Sequence, residues 1–428
     1  MPGGVRPPIE YQQPEWRAGN AVLRRLEDAG IGTFALSAGA MIDDARRQTG
    51  LREFGDESFL PGLEVLLDSY RTEADLNPFG RALVRETLVR RLKNRLWAAD
   101  LFRRHPEILL REIRAPVVVM GLGRSGTTRL HRMLATDARF THLKTWEVQY
   151  PVPWPESFTA ADDPRIEAYG RWQSIYLHFT PGRDRFHPFN AFEADEESLL
   201  LLQSFSSVNY LVHWRLPAFA HWTLETDQGA AYEYMLRLMK LAAWFRDDPP
   251  ERPWILKSPA HMLDLPALMR IFPDARLVWT HRDPAQALRS VCAYAWNAIV
   301  QNSDTASPEY VGELWLRIVR ESLHRAERDR PVCCPAQRQH DVLFESINRD
   351  WRAALRGIYG FIGLPFTAEA EQGMAAWLER NRANAGSPYR TTLRDFGLDE
   401  DAVDASFQPH RDRHGIPREH RGAAAGGV

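Results

Sequence analysis

Residues 115–137, APVVVMGLGRSGTTRLHRMLATD, restrict the fold more than any other part of the chain. Val117, Val118, Val119 and Met120 form a continuous apolar run of strand length. Gly121, Gly123 and Gly126 follow, with Arg124 and Ser125 between them. Leu130, Met133 and Leu134 then recur at helical spacing. That order predicts strand, glycine turn, helix. Such a turn aims backbone N–H groups outward at a helix N-terminus, where the macrodipole adds partial positive charge. It is a binding place for a phosphate-like anion. Arg124, Ser125, Thr127 and Thr128 add anion-binding side chains.

Three patterns compete for the loop. Gly121, Gly123 and Gly126 satisfy the dinucleotide pattern GxGxxG, but the acidic residue that pattern expects about twenty positions on is Glu147. Glu147 sits in KTWEVQYP, a poor strand end. A nucleoside-triphosphate P-loop needs Lys after its last glycine, and Thr127 stands there. The third pattern, RSGTT opening a helix, resembles the 5′-phosphosulfate loop of PAPS-dependent sulfotransferases, and that resemblance implies a second place for a 3′-phosphate.

Local charge must supply that affinity, because the net charge is −2 and no global basic field favours nucleic acid. Of 54 basic residues only Lys93, Lys144, Lys240 and Lys257 are lysines. Cys292, Cys333 and Cys334 form no disulfide framework and no metal-ligand spacing, which fits a reducing, cytoplasmic setting. The N-terminus lacks an apolar signal region, and no 18-residue apolar run predicts a transmembrane segment. No feature specifies an oligomeric state.

Residues 1 to about 15 read as disordered. Residues 15–110 read as helical, with Leu88, Leu92 and Leu96 on one stripe. We therefore expect a helical N-terminal cap over residues 1–114, an α/β core over 115–370 and a C-terminal helical extension and tail over 371–428. The fold class is α/β: a P-loop-like, mostly parallel sheet with helices on both faces.

Beyond the loop, Glu193, Asp195, Glu196 and Glu197 precede an apolar helix. They suit a helix N-terminus, and Glu196 is also a candidate general base. The aromatics Tyr210, Trp214, Phe219, Trp222, Tyr232, Tyr234, Trp244 and Phe245 suit either core packing or an apolar acceptor site. Trp254, Ile255 and Leu256 predict a strand ending at Lys257, with His261 opening a helix. Residues 276–280 predict a strand, after which Asp283 caps a helix with Pro284 at its first position. In an open α/β sheet, ligands bind outside the carboxyl ends of the strands. Lys257, His261, Arg282 and the glycine loop all fall there. A further strand is expected at about 341–344, then helices carrying Trp351, Leu355, Ile358 and Phe361 on one side. His410 and His414 have the spacing of a helical metal pair, but sequence supplies no third ligand. The final GAAAGGV reads as a frayed tail. HRD at 281–283 and DFG at 395–397 mimic a kinase, yet Leu288 stands where a kinase needs its metal-binding Asn.

The motifs together resemble the bacterial branch of the PAPS-dependent sulfotransferases, where PAPS is 3′-phosphoadenosine 5′-phosphosulfate. GLGRSGTT, LKSPAH, HRDP and FESINRDW carry the resemblance, which spans about residues 45–415. It implies that Gly123, Arg124, Ser125, Gly126, Thr127 and Thr128 hold the 5′-phosphosulfate. Arg282 and Ser290, eight residues apart, would hold the 3′-phosphate. Lys257 and Arg124 would face the leaving group, with His261 preferred over Glu196 as base. No metal is called for. The acceptor is a small-molecule or lipid-like hydroxyl. The chain departs from the cytosolic eukaryotic enzymes in carrying Arg124 for their Lys and Arg129 for their adenine-stacking Trp. Its histidine comes four residues after Lys257 rather than two, and their KGxxGxW element is missing, with Arg390 or Arg394 as replacements. A P-loop phosphotransferase and a non-catalytic nucleotide-binding protein are the alternatives.

Overall fold

The structure, a computed structural model, describes residues 10–31, 34–155, 163–180, 183, 189–382 and 391–419. Helices α1 (Pro14–Asp28), α2 (Ala38–Thr49), α3 (Leu60–Thr72) and α4 (Pro78–Arg104) come first. Strand β1 (Val117–Met120) leads through the loop into α5 (Thr127–Leu134). Helices α6 (Pro164–Phe179) and α7 (Gly229–Arg246) precede β2 (Ile255–Lys257), α8 (Leu265–Ile271) and β3 (Arg276–His281). Then come α9 (Pro284–Asn302), α10 (Pro308–Cys333) and β4 (Gln339–Leu343). Helices α11 (Trp351–Ile362), α12 (Ala368–Arg380) and α13 (Glu400–His414) follow.

The strands form one parallel sheet in the order β2-β1-β3-β4. Val118 lies between Leu256 and Leu277 in register. Alternate residues serve opposite faces. Val118, Met120, Leu256 and Leu277 join the large core with the N-terminal helices. Val117, Val119, Ile255 and Val278 join a second core with α5, α11 and α12. Burial on both faces is why β1 reads as an unbroken apolar run rather than an alternating one. The large core runs from Leu36 to Phe407, so it crosses both boundaries drawn from sequence at 114/115 and 370/371. No described helix is long and apolar enough to cross a membrane.

Caps form where the sequence supplies them. The Asn77 carboxamide accepts from Gly80 N–H, and the Asp283 carboxylate accepts from Ala285 N–H at the start of α9. Leu88, Leu92, Leu96, Leu355 and Ile358 are buried as expected. The N-terminal expectation needs correction. Residues 1–9 lie outside the described residues, but α1 begins at Pro14 and Gln12 is buried. Gln12 donates to Val300 O at 3.0 Å and to Asp304 at 2.9 Å. The apolar helix after Glu196 is a 3-10 helix, Glu197–Ser204. His261 sits in a short 3-10 turn rather than opening α8. The expected C-terminal tail from Arg421 lies outside the described residues.

If the sheet is clamped from both faces, Leu277→Ala, which removes a side chain with no exposure, lowers stability by about 2–5 kcal/mol. Val332→Ala, at a position 85% exposed, changes it by less than about 0.5 kcal/mol. Denaturant titration of both variants checks this.

Candidate active site

The loop after β1 is shaped by close approach to β3. At Gly121, φ is +150° and a Cβ would lie 2.4 Å from Thr280 Oγ1. At Gly126, φ is +83° and a Cβ would lie 2.6 Å from the Phe344 ring. Neither position admits a side chain without displacement. Arg124 has φ +72°, a costly conformation for a residue with a Cβ. Ser125 is fully buried, and its hydroxyl donates to Leu122 O at 2.7 Å and meets Thr280 Oγ1 at 2.9 Å. Its N–H also goes to Leu122 O. Ser125 therefore braces the loop from beneath and faces away from the cavity. This corrects its expected contact with an anion. Gly123, Arg124, Gly126, Thr127 and Thr128 line the cavity.

The spacing of Arg282 and Ser290 brings both to this loop. Arg282 Nη1 donates to Arg124 O at 2.7 Å, and Arg124 Nε donates to Ser290 Oγ at 3.0 Å. Arg282 also stacks 4.5 Å from the centre of the Phe344 ring and binds both carboxylate oxygens of Glu419, at 2.7 and 2.8 Å. Arg129 lies over the other reach of Phe344 at 5.5 Å, its Nη2 donating to Asn348 at 2.5 Å. Burial, with Arg282 beside it, pushes the Arg129 pKa down to about 10. Burial and the Arg282 and Arg183 guanidiniums also lower that of Arg124. These arginines crowd one another, so an anion among them gains more than it would from any one alone. Arg394 is exposed and 4.0 Å from Glu400, outside the cavity, and Arg390 lies outside the described residues.

At the end of β2, Lys257 is buried without exposure. Its Nζ donates to Glu196 Oε1 at 2.6 Å and to Thr128 Oγ1 at 3.1 Å. Ser258 donates to the other oxygen of Glu196 at 3.2 Å. Glu196 lines the cavity. His261 does not. It is wholly buried, with one ring nitrogen on Glu197 and the other 2.9 Å from the Tyr232 hydroxyl. Glu197 also accepts the Lys257 backbone N–H at 2.8 Å. The preference for His261 as base is corrected accordingly: both of its nitrogens are committed within the core.

A cavity of 1770 Å³ opens beside these groups. An ordinary small-molecule site holds about 300–1,000 Å³, so there is room for two ligands. Its apolar part is lined by Trp16, Phe79, Trp172, Tyr176 and Phe179, which come from α1, α4 and α6, together with Trp214 and Tyr294. Trp172 and Tyr176 stack at 5.0 Å. Of the aromatics singled out from sequence, only Trp214 lines it; Tyr210, Phe219, Tyr232 and Tyr234 are core. Arg183 was also missed. It lines the cavity and stacks 3.7 Å from Tyr294, and nothing around it in sequence marks it out.

A family model described as "Sulfotransferase family" matches residues 116–368, more than half of the chain. The chain belongs to the sulfotransferase family. Sulfotransferase STF1 from Mycobacterium tuberculosis H37Rv is similar in structure, with TM-score 0.76 and 29% identity over 87% of this chain and 98% of that one. STF9 from Mycobacterium avium gives TM-score 0.79 and 27% identity over 90% and 99%. The omega-hydroxy-beta-dihydromenaquinone-9 sulfotransferase Stf3 of Mycobacterium bovis is 23% identical over 291 residues, 63% of this chain and 68% of that protein. The α/β fold expected from sequence is the one these structures share. The sulfotransferase activity belongs to this chain through its family, and PAPS is the donor that membership implies.

In this sulfotransferase Gly126→Ala places a methyl group against Phe344, the ring that carries Arg282. It also forces a left-handed conformation, at about 1–2 kcal/mol. The expected outcome is a melting temperature lower by a few degrees and a much larger fractional loss of sulfuryl transfer, measured on the same preparation.

Proposed function

We propose that this sulfotransferase moves the sulfuryl group of PAPS to the hydroxyl of an apolar, lipid-like alcohol, using Glu196 as base. One observation carries the reading: Lys257, Glu196 and Thr128 form a hydrogen-bonded group at the mouth of the anion loop, and the aromatic-lined cavity opens on the same side. The loop N–H groups of Gly123, Arg124, Gly126, Thr127 and Thr128 and the Thr127 and Thr128 hydroxyls hold the 5′-phosphosulfate. Arg282 and Ser290 hold the 3′-phosphate, which takes over Arg282 from Glu419. Arg129, 5.5 Å from the centre of the Phe344 ring, offers the adenine a cationic surface.

The acceptor oxygen attacks sulfur in line. The new O–S bond forms as the bond from sulfur to the 5′-phosphate oxygen breaks, and adenosine 3′,5′-bisphosphate leaves. Negative charge grows on that bridging oxygen. Lys257 and Arg124 stabilise it as fixed charges, without reorganisation at the moment of reaction. The hydroxyl proton passes to Glu196, which Lys257 and Ser258 hold by one carboxylate oxygen each at the edge of the cavity. The acceptor class rests on the apolar part of the cavity. It agrees with the menaquinone-derived alcohol named for Stf3.

Calorimetric titration tests the donor site. Adenosine 3′,5′-bisphosphate binds more tightly than ATP. Arg282→Ala weakens it by about 100-fold, the loss of a charge-assisted contact worth ~3 kcal/mol. Glu419→Gln tightens it. Preference for ATP, or indifference to Arg282, overturns the assignment. For the base, Glu196→Gln lowers turnover of a long-chain primary alcohol by about 10²–10⁴-fold while bisphosphate affinity holds within a few-fold. An unchanged turnover removes Glu196 from the mechanism.

A further inference from the structure

The pair His410 and His414, on the last turns of α13, acquires in the fold the third imidazole that the sequence lacks. That imidazole is His281, the last residue of β3. One ring nitrogen of each of the three lies within 4.8 Å of the other two. The rings are 4.3 Å apart for His281 and His414 and 4.6 Å for His410 and His414, centre to centre. His281 and His410 are buried and His414 nearly so. This cluster has no part in the transfer chemistry derived above.

The hydrogen bonds around the cluster fix the protons. His281 Nε2 donates to Asp341 Oδ1 at 2.7 Å. His410 Nδ1 donates to Glu327 Oε1 at 2.6 Å, and His414 Nε2 donates to the same oxygen at 3.3 Å. Asp341 and Glu327 are themselves paired with Arg330 and Arg413, which hold them ionised and in place. Each imidazole is thus oriented by a carboxylate on one nitrogen and keeps a lone pair on the other. His281 Nδ1 is buried with no hydrogen-bond partner. A carboxylate behind each of several converging histidines is the outer shell that metal-binding histidines require. The buried, unpartnered Nδ1 of His281 is the polar atom that a cation held by this cluster would satisfy.

We propose that His281, His410 and His414 bind one late first-row divalent cation, zinc foremost, as a structural clamp between α13 and the end of β3. Imidazole donors select this class over calcium or magnesium, which prefer oxygen. Tetrahedral coordination with metal–nitrogen bonds of ~2.0–2.1 Å brings the nitrogens to within about 3.4 Å of one another. The fourth position falls to water. The clamp would sit one residue before Arg282, in a region where Arg411 of α13 already pairs with Asp283 at 3.1 Å. The proposal is independent of the donor and acceptor assignments.

The test uses the full chain without an affinity tag, stripped with EDTA and titrated with Co²⁺, whose visible absorption reports coordination by nitrogen donors. One Co²⁺ binds per chain, is displaced by Zn²⁺ and not by Mg²⁺, and Zn²⁺ raises the melting temperature above that of the stripped protein. Glu327→Gln weakens Co²⁺ by about 10–100-fold, the usual effect of removing an outer-shell partner. His414→Gln weakens it more. His414 is the least buried of the three, and the melting curve of the stripped variant establishes that it folds. Absence of a Co²⁺ band in the wild-type chain overturns the proposal without reference to any variant. So does a band that His414→Gln leaves unchanged, which would place the metal elsewhere.

Discussion

Two adjacent carboxylates tie the reacting groups to the sheet. Lys257 has no exposed surface, and an unpaired ammonium at such a position costs several kcal/mol of lost solvation. Glu196 removes most of that cost by pairing with it, and Thr128 and Ser258 satisfy the remaining hydrogen bonds. Glu197, the next residue, faces the other way. It accepts the backbone N–H of the same lysine and engages His261. The segment that begins the 3-10 helix Glu197–Ser204 is therefore fastened to the end of β2 at two points. Its Leu199 and Leu202 form part of the cavity wall. This part of the cavity wall and the buried Lys257 are one mechanical unit.

The loop after β1 solves a related problem, which is how to gather positive charge within a chain of net charge −2. Arg124 is held at φ +72° by a turn that Gly121 and Gly126 make possible and that Ser125 braces against Thr280. That strain points the backbone carbonyl of Arg124 at Arg282 and its guanidinium at Ser290. Like charges are thereby placed closer than they would settle in water. An anion that arrives among them relieves part of their repulsion.

The order of strand, loop and helix was legible because each part is local: an apolar run, three glycines and a helical repeat. Arg282 and Ser290 were legible because a strand end and one helix fix their separation. What failed to show were choices between neighbours. Glu196 was singled out among the neighbouring acids and does line the cavity, but that Glu197 beside it turns into the core onto His261 is decided by packing that no letter shows. Ser125 and Thr128 are both hydroxyls of the same loop, but the tight approach of β3 turns the first inward. The acceptor wall was hidden for a different reason. Trp16, Phe79 and Trp172 are far apart in sequence and ordinary in context, and they meet only because α1, α4 and α6 pack together. His281 was likewise read as part of HRDP, since nothing local connects it to residues well over a hundred positions later.

Glu419 gives the donor site an internal competitor. Its carboxylate spans Arg282 with the fork geometry that a phosphate would use, and its N–H donates to Asp283 Oδ2 at 3.0 Å. A ligand that takes Arg282 must displace this contact, so its observed affinity is reduced by the stability of the Arg282–Glu419 pair. The same competition acts in reverse on the product. Adenosine 3′,5′-bisphosphate retains both phosphates after transfer and would otherwise leave slowly from a site crowded with arginines. Under the assignment proposed above, a carboxylate tethered one hydrogen bond away re-forms its pair with Arg282 as the 3′-phosphate loosens. Turnover is served by a site that binds its donor less tightly than its charges permit, because binding energy spent equally on donor and product does not lower the barrier between them.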